Sequence, residues 1–185
     1  MPFNVADFRS QFVADGARPN LFQVEMQFPP IFGAAGDSAR KLTFMCKTAA
    51  LPGSTIGTVE LQYFGRQVKL AGNRTFADWT VTILNDEDFA VRKAFERWMG
   101  GINTHSTNLR LSGATGSTGY TTDPIVTQYG KSGNVIKSYK LIGAFPTDLA
   151  QIDLDWGSND TVEEYTVTLS YQYWQTLGEG SPLTV

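Results

Sequence analysis

The residues from Asn73 to Trp98, NRTFADWTVTILNDEDFAVRKAFERW, constrain the fold more than any other stretch. Trp79, Val81 and Ile83 alternate with Thr80 and Thr82. That period of two predicts a half-buried strand over about 76–84. An acidic run follows, and then Val91, Phe95, Trp98 and Ile102 recur at helical spacing, predicting an amphipathic helix over about 87–99. Asn85 is placed to cap it, with Asp88 three residues on. Asp86, Glu87 and Asp88 lie where the helix dipole is positive, and Arg92, Lys93 and Arg97 lie toward the other end. Asp88 and Arg92 are four apart in the favourable order, and Gly100-Gly101 predicts the stop. The stretch therefore describes a sheet carrying one helix whose apolar stripe must be buried against it. Trp79, Phe95 and Trp98 are core candidates.

The remaining segments read mostly as strands. Phe22, Val24, Met26 and Phe28 alternate with Gln23, Glu25 and Gln27 until Pro29-Pro30 ends the run. Residues 31–39 read as a Gly/Ala-rich loop and 41–47 as a strand, in which Leu42, Phe44 and Cys46 share a face. Residues 58–70 predict a hairpin: Val59, Leu61 and Tyr63 alternate with Glu60 and Gln62, Phe64 to Gln67 connect, and Val68 and Leu70 return. With flanking residues, 56–71 is a projecting arm with a polar face and an aromatic tip. A second hairpin is predicted over 125–129 and 135–142, turning at Lys131 to Asn134. Phe145-Pro146-Thr147 breaks the pattern. Residues 151–156 read as a short strand, and 161–174 as one long strand with Tyr165, Val167, Leu169, Tyr171 and Tyr173 on one face. The sum is about eight strands and one helix in a mainly β chain: an antiparallel sandwich or barrel-like subunit with one packed α-helix.

Composition narrows the function. The chain has 185 residues, 18% of them charged, and a formal net charge of −3, so a basic nucleic-acid footprint is absent. One domain, 1–185, is expected, with an apolar N-terminal arm at 1–19, a polar loop at 101–121 and a mobile tail at 175–185. No apolar run reaches membrane-spanning length and the start lacks signal-peptide blocks, so cytosolic synthesis without stable membrane insertion is expected. Cys46 is the only cysteine and His105 the only histidine. Intrachain disulfides are excluded, as are the usual structural zinc sites. Cys46 reads as a buried strand residue. His105 lies in a Gly- and Thr-rich segment with nothing to orient it for nucleophilic catalysis.

Three local patterns mimic functional motifs. Gly130-Lys131-Ser132 resembles the end of a phosphate-binding loop, but Ile125 stands where the first glycine is needed and a hairpin replaces the helix. Gly113, Gly116 and Gly119 follow no strand and precede no helix. Asp153 and Asp155 point one way from the predicted strand, but no third ligand accompanies them.

Four ordered blocks carry a family resemblance: ARPNLFQVE (17–25), FMCKTAALP (44–52), AGNRTFADWTVTILNDEDFAVRKAFERW (71–98) and the segment 125–174, from IVTQYGKSG to VTLSYQYW. The chain resembles the tail tube proteins of T4-like contractile-tailed phages, inner-tube components of contractile injection systems. The resemblance implies a non-enzymatic β-sandwich subunit. Six subunits join their sheets into one continuous β-barrel ring, and rings stack into a tube for genome delivery. It implies the subunit itself, the tail sheath protein, a baseplate or tube initiator, a tail terminator and a lumenal tape measure protein as partners. DNA passes through without specific binding, and no cofactor is implied. The tube is assembled in the host cytoplasm and resides in the virion. The loops at 29–40 and 101–121 and the tail after Trp174 are longer than the family pattern.

On this reading Phe3, Phe8, Phe12, Tyr63, Phe64 and Arg66 are the candidates for contacts between subunits and rings. Alternatives are the inner tube of a bacteriocin-like or extracellular injection particle, and a monomeric carbohydrate-binding sandwich using Tyr171, Tyr173 and Trp174. An enzyme using Asp153 and Asp155 is a further one.

Overall fold

Two four-stranded antiparallel sheets and one detached hairpin make up the structure, a computed structural model that describes residues 4–12, 16–33, 36–114, 116 and 118–178. Along the chain these are α1 (Val5–Ser10), β1 (Phe22–Glu25), a 3-10 turn (Pro30–Phe32), α2 (Gly36–Met45), β2 (Cys46–Ala49), β3 (Thr55–Tyr63) and β4 (Arg66–Thr75). Then come β5 (Trp79–Leu84), α3 (Ala90–Ile102), β6 (Ile125–Tyr129), β7 (Val135–Ile142), β8 (Phe145–Leu149), β9 (Glu164–Ser170) and β10 (Tyr173–Leu177). The sheet orders are β1-β6-β7-β10 and β2-β5-β9-β8, and β3 pairs with β4 alone.

The inner faces of the two larger sheets share one core. Val24, Val126 and Leu141 come from the first sheet, and Trp79, Val81, Ile83, Tyr165, Val167 and Leu169 from the second. Helix α3 adds Val91, Phe95 and Trp98, as its stripe predicts, with Ile102 partly buried. Phe95 and Trp98 are both 0% exposed, and Phe28 meets their rings edge-on at 5.0 and 6.0 Å. Each buried indole keeps its N–H satisfied: Trp98 donates to the Tyr120 carbonyl and Trp79 to the Ala50 carbonyl, both at 2.7 Å.

Several sequence expectations are corrected. Helix α3 begins and ends three residues later than expected. Asn85 does not cap it. Its amide donates to the Glu163 carbonyl and its side chain to the Glu163 carboxylate, each at 2.8 Å. Phe89, at φ 53°, precedes the helix, and the Asp88 carboxylate accepts the Ala90 N–H at 2.9 Å. Arg92 pairs with Glu96 at 3.1 Å, not with Asp88, and donates to the Ala150 carbonyl. Asp86 and Asp88 instead clamp Lys41. Gly100 and Gly101 lie inside the helix. At Gly101 a β-carbon would meet the Phe32 ring at 2.3 Å, so this glycine serves close packing and not termination.

Residues 36–45 are helical where a loop and a strand were expected. Ala39 and Leu42 are buried and Met45 and Cys46 partly so, the spacing of a helical face, while Phe44 is 75% exposed. Cys46 does lie on a strand and is partly buried opposite Ile83. Burial pushes its thiol pKa up to about 12. Phe145 to Leu149 do not break the pattern but form β8, an edge strand where Pro146 is tolerated. Residues 151–156 form no strand. The long strand over 161–174 is two strands: β9 belongs to one sheet, and the chain crosses at Tyr171-Gln172 into β10 of the other. Residues 175–177 of the expected tail therefore lie in β10, and 179–185 fall outside the described residues.

Candidate assembly surfaces

The β3–β4 hairpin is built by alternation and closed by its turn. Val59 faces Leu70, Leu61 faces Val68 and Tyr63 faces Arg66 on one side; Glu60 faces Lys69 and Gln62 faces Gln67 on the other. Phe64 and Gly65, at φ 44° and 75°, form the connection. Two positive φ values mark the tight turn that matches strand twist, shorter here than the four-residue connection expected. Every β3 residue is exposed, and so is every β4 residue except one. The hairpin therefore has an apolar face with no partner among the described residues, and an isolated two-stranded ribbon is marginal in water. Tyr63 and Phe64 meet edge-on at 4.6 Å at its tip, where Phe64 is 90% exposed.

Helix α1 and the residues just after it present a second exposed aromatic cluster. Asn4 caps it, accepting the Ala6 N–H at 3.0 Å, and none of its residues is buried. Phe8 and Phe12 meet edge-on at 4.9 Å, both exposed. Phe3 lies outside the described residues. Arm and tip thus form separate clusters within one subunit, and neither is consumed by the core.

A third exposed apolar group was not legible as such in the sequence. Leu154, Trp156 and Val162 stand out from the loop joining β8 to β9, with Trp156 101% exposed. The loop carries Asp153, Asp155, Asp160 and Glu163, and all 15 Lys and Arg residues of the chain lie at or before Lys140. The available signal was this charge partition around a tryptophan, not the alternation of 152–155.

The other candidate sites dissolve. Asp153 accepts from its neighbour Gln151 and Asp155 from the Gly157 N–H, each at 2.9 Å, so both carboxylates are engaged by their own loop, and no cluster of three metal-ligating side chains forms among the described residues. Tyr171 is buried and Trp174 is half-buried, its indole donating to the Gly53 carbonyl at 3.1 Å, so of the three aromatics only Tyr173 is exposed and they do not form a shared stacking platform. The outer face of the β2-β5-β9-β8 sheet is a row of hydroxyls instead. Thr48, Thr82 and Thr166 lie in one line, and Thr80 and Thr168 in the next, 3.3 Å apart.

Comparison with known proteins identifies the family. A family model described as "Phage tail tube protein" matches residues 17–177. The tail tube protein gp19 of Enterobacteria phage T4 is 35% identical over 162 residues, covering 87% of this chain and 92% of that protein. The tail tube protein of Serratia phage KSP90 is 27% identical over 169 residues, covering 90% and 93%. The fold is shared with a chain of the anti-feeding prophage baseplate, at TM-score 0.62, 16% identity and coverage of 90% and 98%. It is also shared with a chain of an extracellular contractile injection system sheath-tube complex, at TM-score 0.53, 14% identity and coverage of 94% and 97%. The chain belongs to the phage tail tube protein family, structural components of the virion and not enzymes.

Proposed function

We propose that this tail tube subunit self-assembles into stacked six-fold rings, with sheath and baseplate proteins as partners and the tape measure protein and then DNA in the bore. The observation that carries the proposal is the β3–β4 hairpin, whose whole apolar face is exposed in the single subunit. A long ribbon with such a face is a liability to a monomer and an asset to a polymer. The candidate contacts between subunits are Phe3, Phe8, Phe12, Tyr63, Phe64 and Arg66. Edge-to-edge joining of the larger sheets closes the ring and removes their free edges. The threonine-lined outer face suits an aqueous bore. Hydroxyls hydrate well, and without a field of Lys and Arg they offer phosphate little to hold.

Negative-stain electron microscopy of the purified protein, alone and with purified baseplates as seeds, tests this. Hollow tubes with six-fold end views are expected. A folded monomer that never extends the seeds refutes the proposal.

A further inference from the structure

The hairpin and the acidic loop leave opposite ends of the same sheet. The hairpin starts after Ala49 and returns into Trp79, and register pairs Ala49 with Val81 and Trp79 with Leu169. The loop runs from β8 into Glu164, which pairs with Leu84 at the far end of β5, where Cys46 pairs with Ile83. Local bonds fix both ends: the Trp79 and Trp174 indoles hold residues 50 and 53 at the hairpin end, and Asn85 holds Glu163 at the loop end. A copy stacked in the same orientation therefore brings one subunit's hairpin toward its neighbour's loop, a head-to-tail contact that propagates.

The two surfaces also match chemically. The hairpin strands carry Arg66, Lys69 and Arg74 against the single acid Glu60. The loop carries Asp153, Asp155, Asp160 and Glu163 with no basic residue, while Glu164 at the start of β9 is paired with Lys47. Both are amphipathic: Val59, Leu61, Tyr63 and Phe64 are exposed on one, and Leu154, Trp156 and Val162 on the other. The loop encloses a cleft of about 360 Å³ lined by Asp153, Leu154, Asp155, Val162 and Glu163 among others. At about 3.3 Å per residue, nine-residue β3 reaches some 30 Å, longer than six-residue β5 beneath it.

We infer that the acidic Leu154–Trp156–Val162 loop is the receptor for the basic, aromatic-tipped β3–β4 hairpin of a second copy of this chain in the adjacent ring. The inference rests on the stacked-ring reading and adds the receiving half of the contact. Buried aromatics supply the area, and opposite charge sets orientation and association rate.

Charge reversal tests it in baseplate-seeded growth followed by electron microscopy. Arg66→Glu with Lys69→Glu, or Asp153→Lys with Asp155→Lys, should each slow growth by about tenfold or more, because like charges then meet. Combining all four should bring the rate back to within about threefold of the parent. Circular dichroism melts confirm that each variant is folded, which is expected because every altered side chain is exposed. Tubes grown entirely from a chain carrying both Phe64→Cys and Trp156→Cys, then oxidised, should give disulfide-linked chains on a denaturing gel. Unslowed single sets, an unrestored combination, or tubes with no linked chains would each overturn the inference while leaving the tube itself standing. Wild-type protein that extends no seed would take both readings down.

Discussion

Neighbouring glycines in α3 should respond to the same substitution with opposite sign. At Gly100 an added β-carbon meets nothing nearer than His105 Cε1 at 4.0 Å, an ordinary contact. Alanine there should stabilise by roughly 0.5–1 kcal/mol, through helix propensity and a less flexible unfolded chain. At Gly101 the β-carbon falls 2.3 Å from two atoms of the Phe32 ring, more than about 1 Å inside normal carbon contact. Phe32 is buried on the 3-10 turn between Pro30 and Gly33, so its ring cannot swing clear without moving backbone. Overpacking of this kind costs about 1–3 kcal/mol, and the propensity gain offsets up to ~1 kcal/mol of it. Gly101→Ala should therefore destabilise by about 1–2 kcal/mol, lowering Tm by roughly 3–6 °C for a chain of this size. Urea titrations of both variants read the contrast directly. In a Phe32→Leu background the penalty at Gly101 should shrink by ~1 kcal/mol, a coupling between contacting residues. Equal effects at the two positions, or a Gly101 penalty unchanged by Phe32→Leu, would refute the packing argument.

Two further outcomes follow from the ionisable groups. Burial pushes the Cys46 thiol from its ordinary value of 9.0 up to about 12, so native protein should alkylate at least about tenfold more slowly than urea-unfolded protein at pH 8.5, read by mass spectrometry. Hydrogen bonds from Lys41 hold the Asp86 and Asp88 carboxyls below the usual carboxylate range. Groups depressed in the folded state contribute above their unfolded pKa near 4 and lose that contribution as pH falls through the folded values. Tm should thus hold steady from neutral pH to about 4 and then decline, and Lys41→Met should make that decline shallower.

The sequence disclosed elements whose pattern has one reading. Trp79 to Ile83 alternate over one buried face, and Val91, Phe95 and Trp98 can share a face only on a helix. Both hairpins were legible because alternation and turn chemistry agree. Where two periods fit the same letters, the sequence was silent. Leu42, Phe44 and Cys46 alternate, but Ala39, Leu42 and Met45 also keep helical spacing, and the exposure of Phe44 shows which face won. Alternation also says nothing about partners. Residues 152–155 alternate and pair with no strand, and 165–173 alternate across a change of sheet. Of the exposed apolar surfaces, the projecting hairpin was visible because a hairpin is a local object. The loop bearing Trp156 was hidden because its exposure is a tertiary fact.

The crossing at Tyr171-Gln172 has a mechanical meaning. β9 is laced by register into the β2-β5-β9-β8 sheet, and β10 into the other, with only two residues between them. Gln172 is itself tied by its N–H to the Ile142 carbonyl at 3.0 Å. One backbone thus serves both layers with almost no slack. A force that tends to slide one layer over the other is carried covalently from sheet to sheet, and opening the gap means stripping a ladder in shear, many bonds at once. The two sheets of the subunit are thus coupled as a single stiff plate.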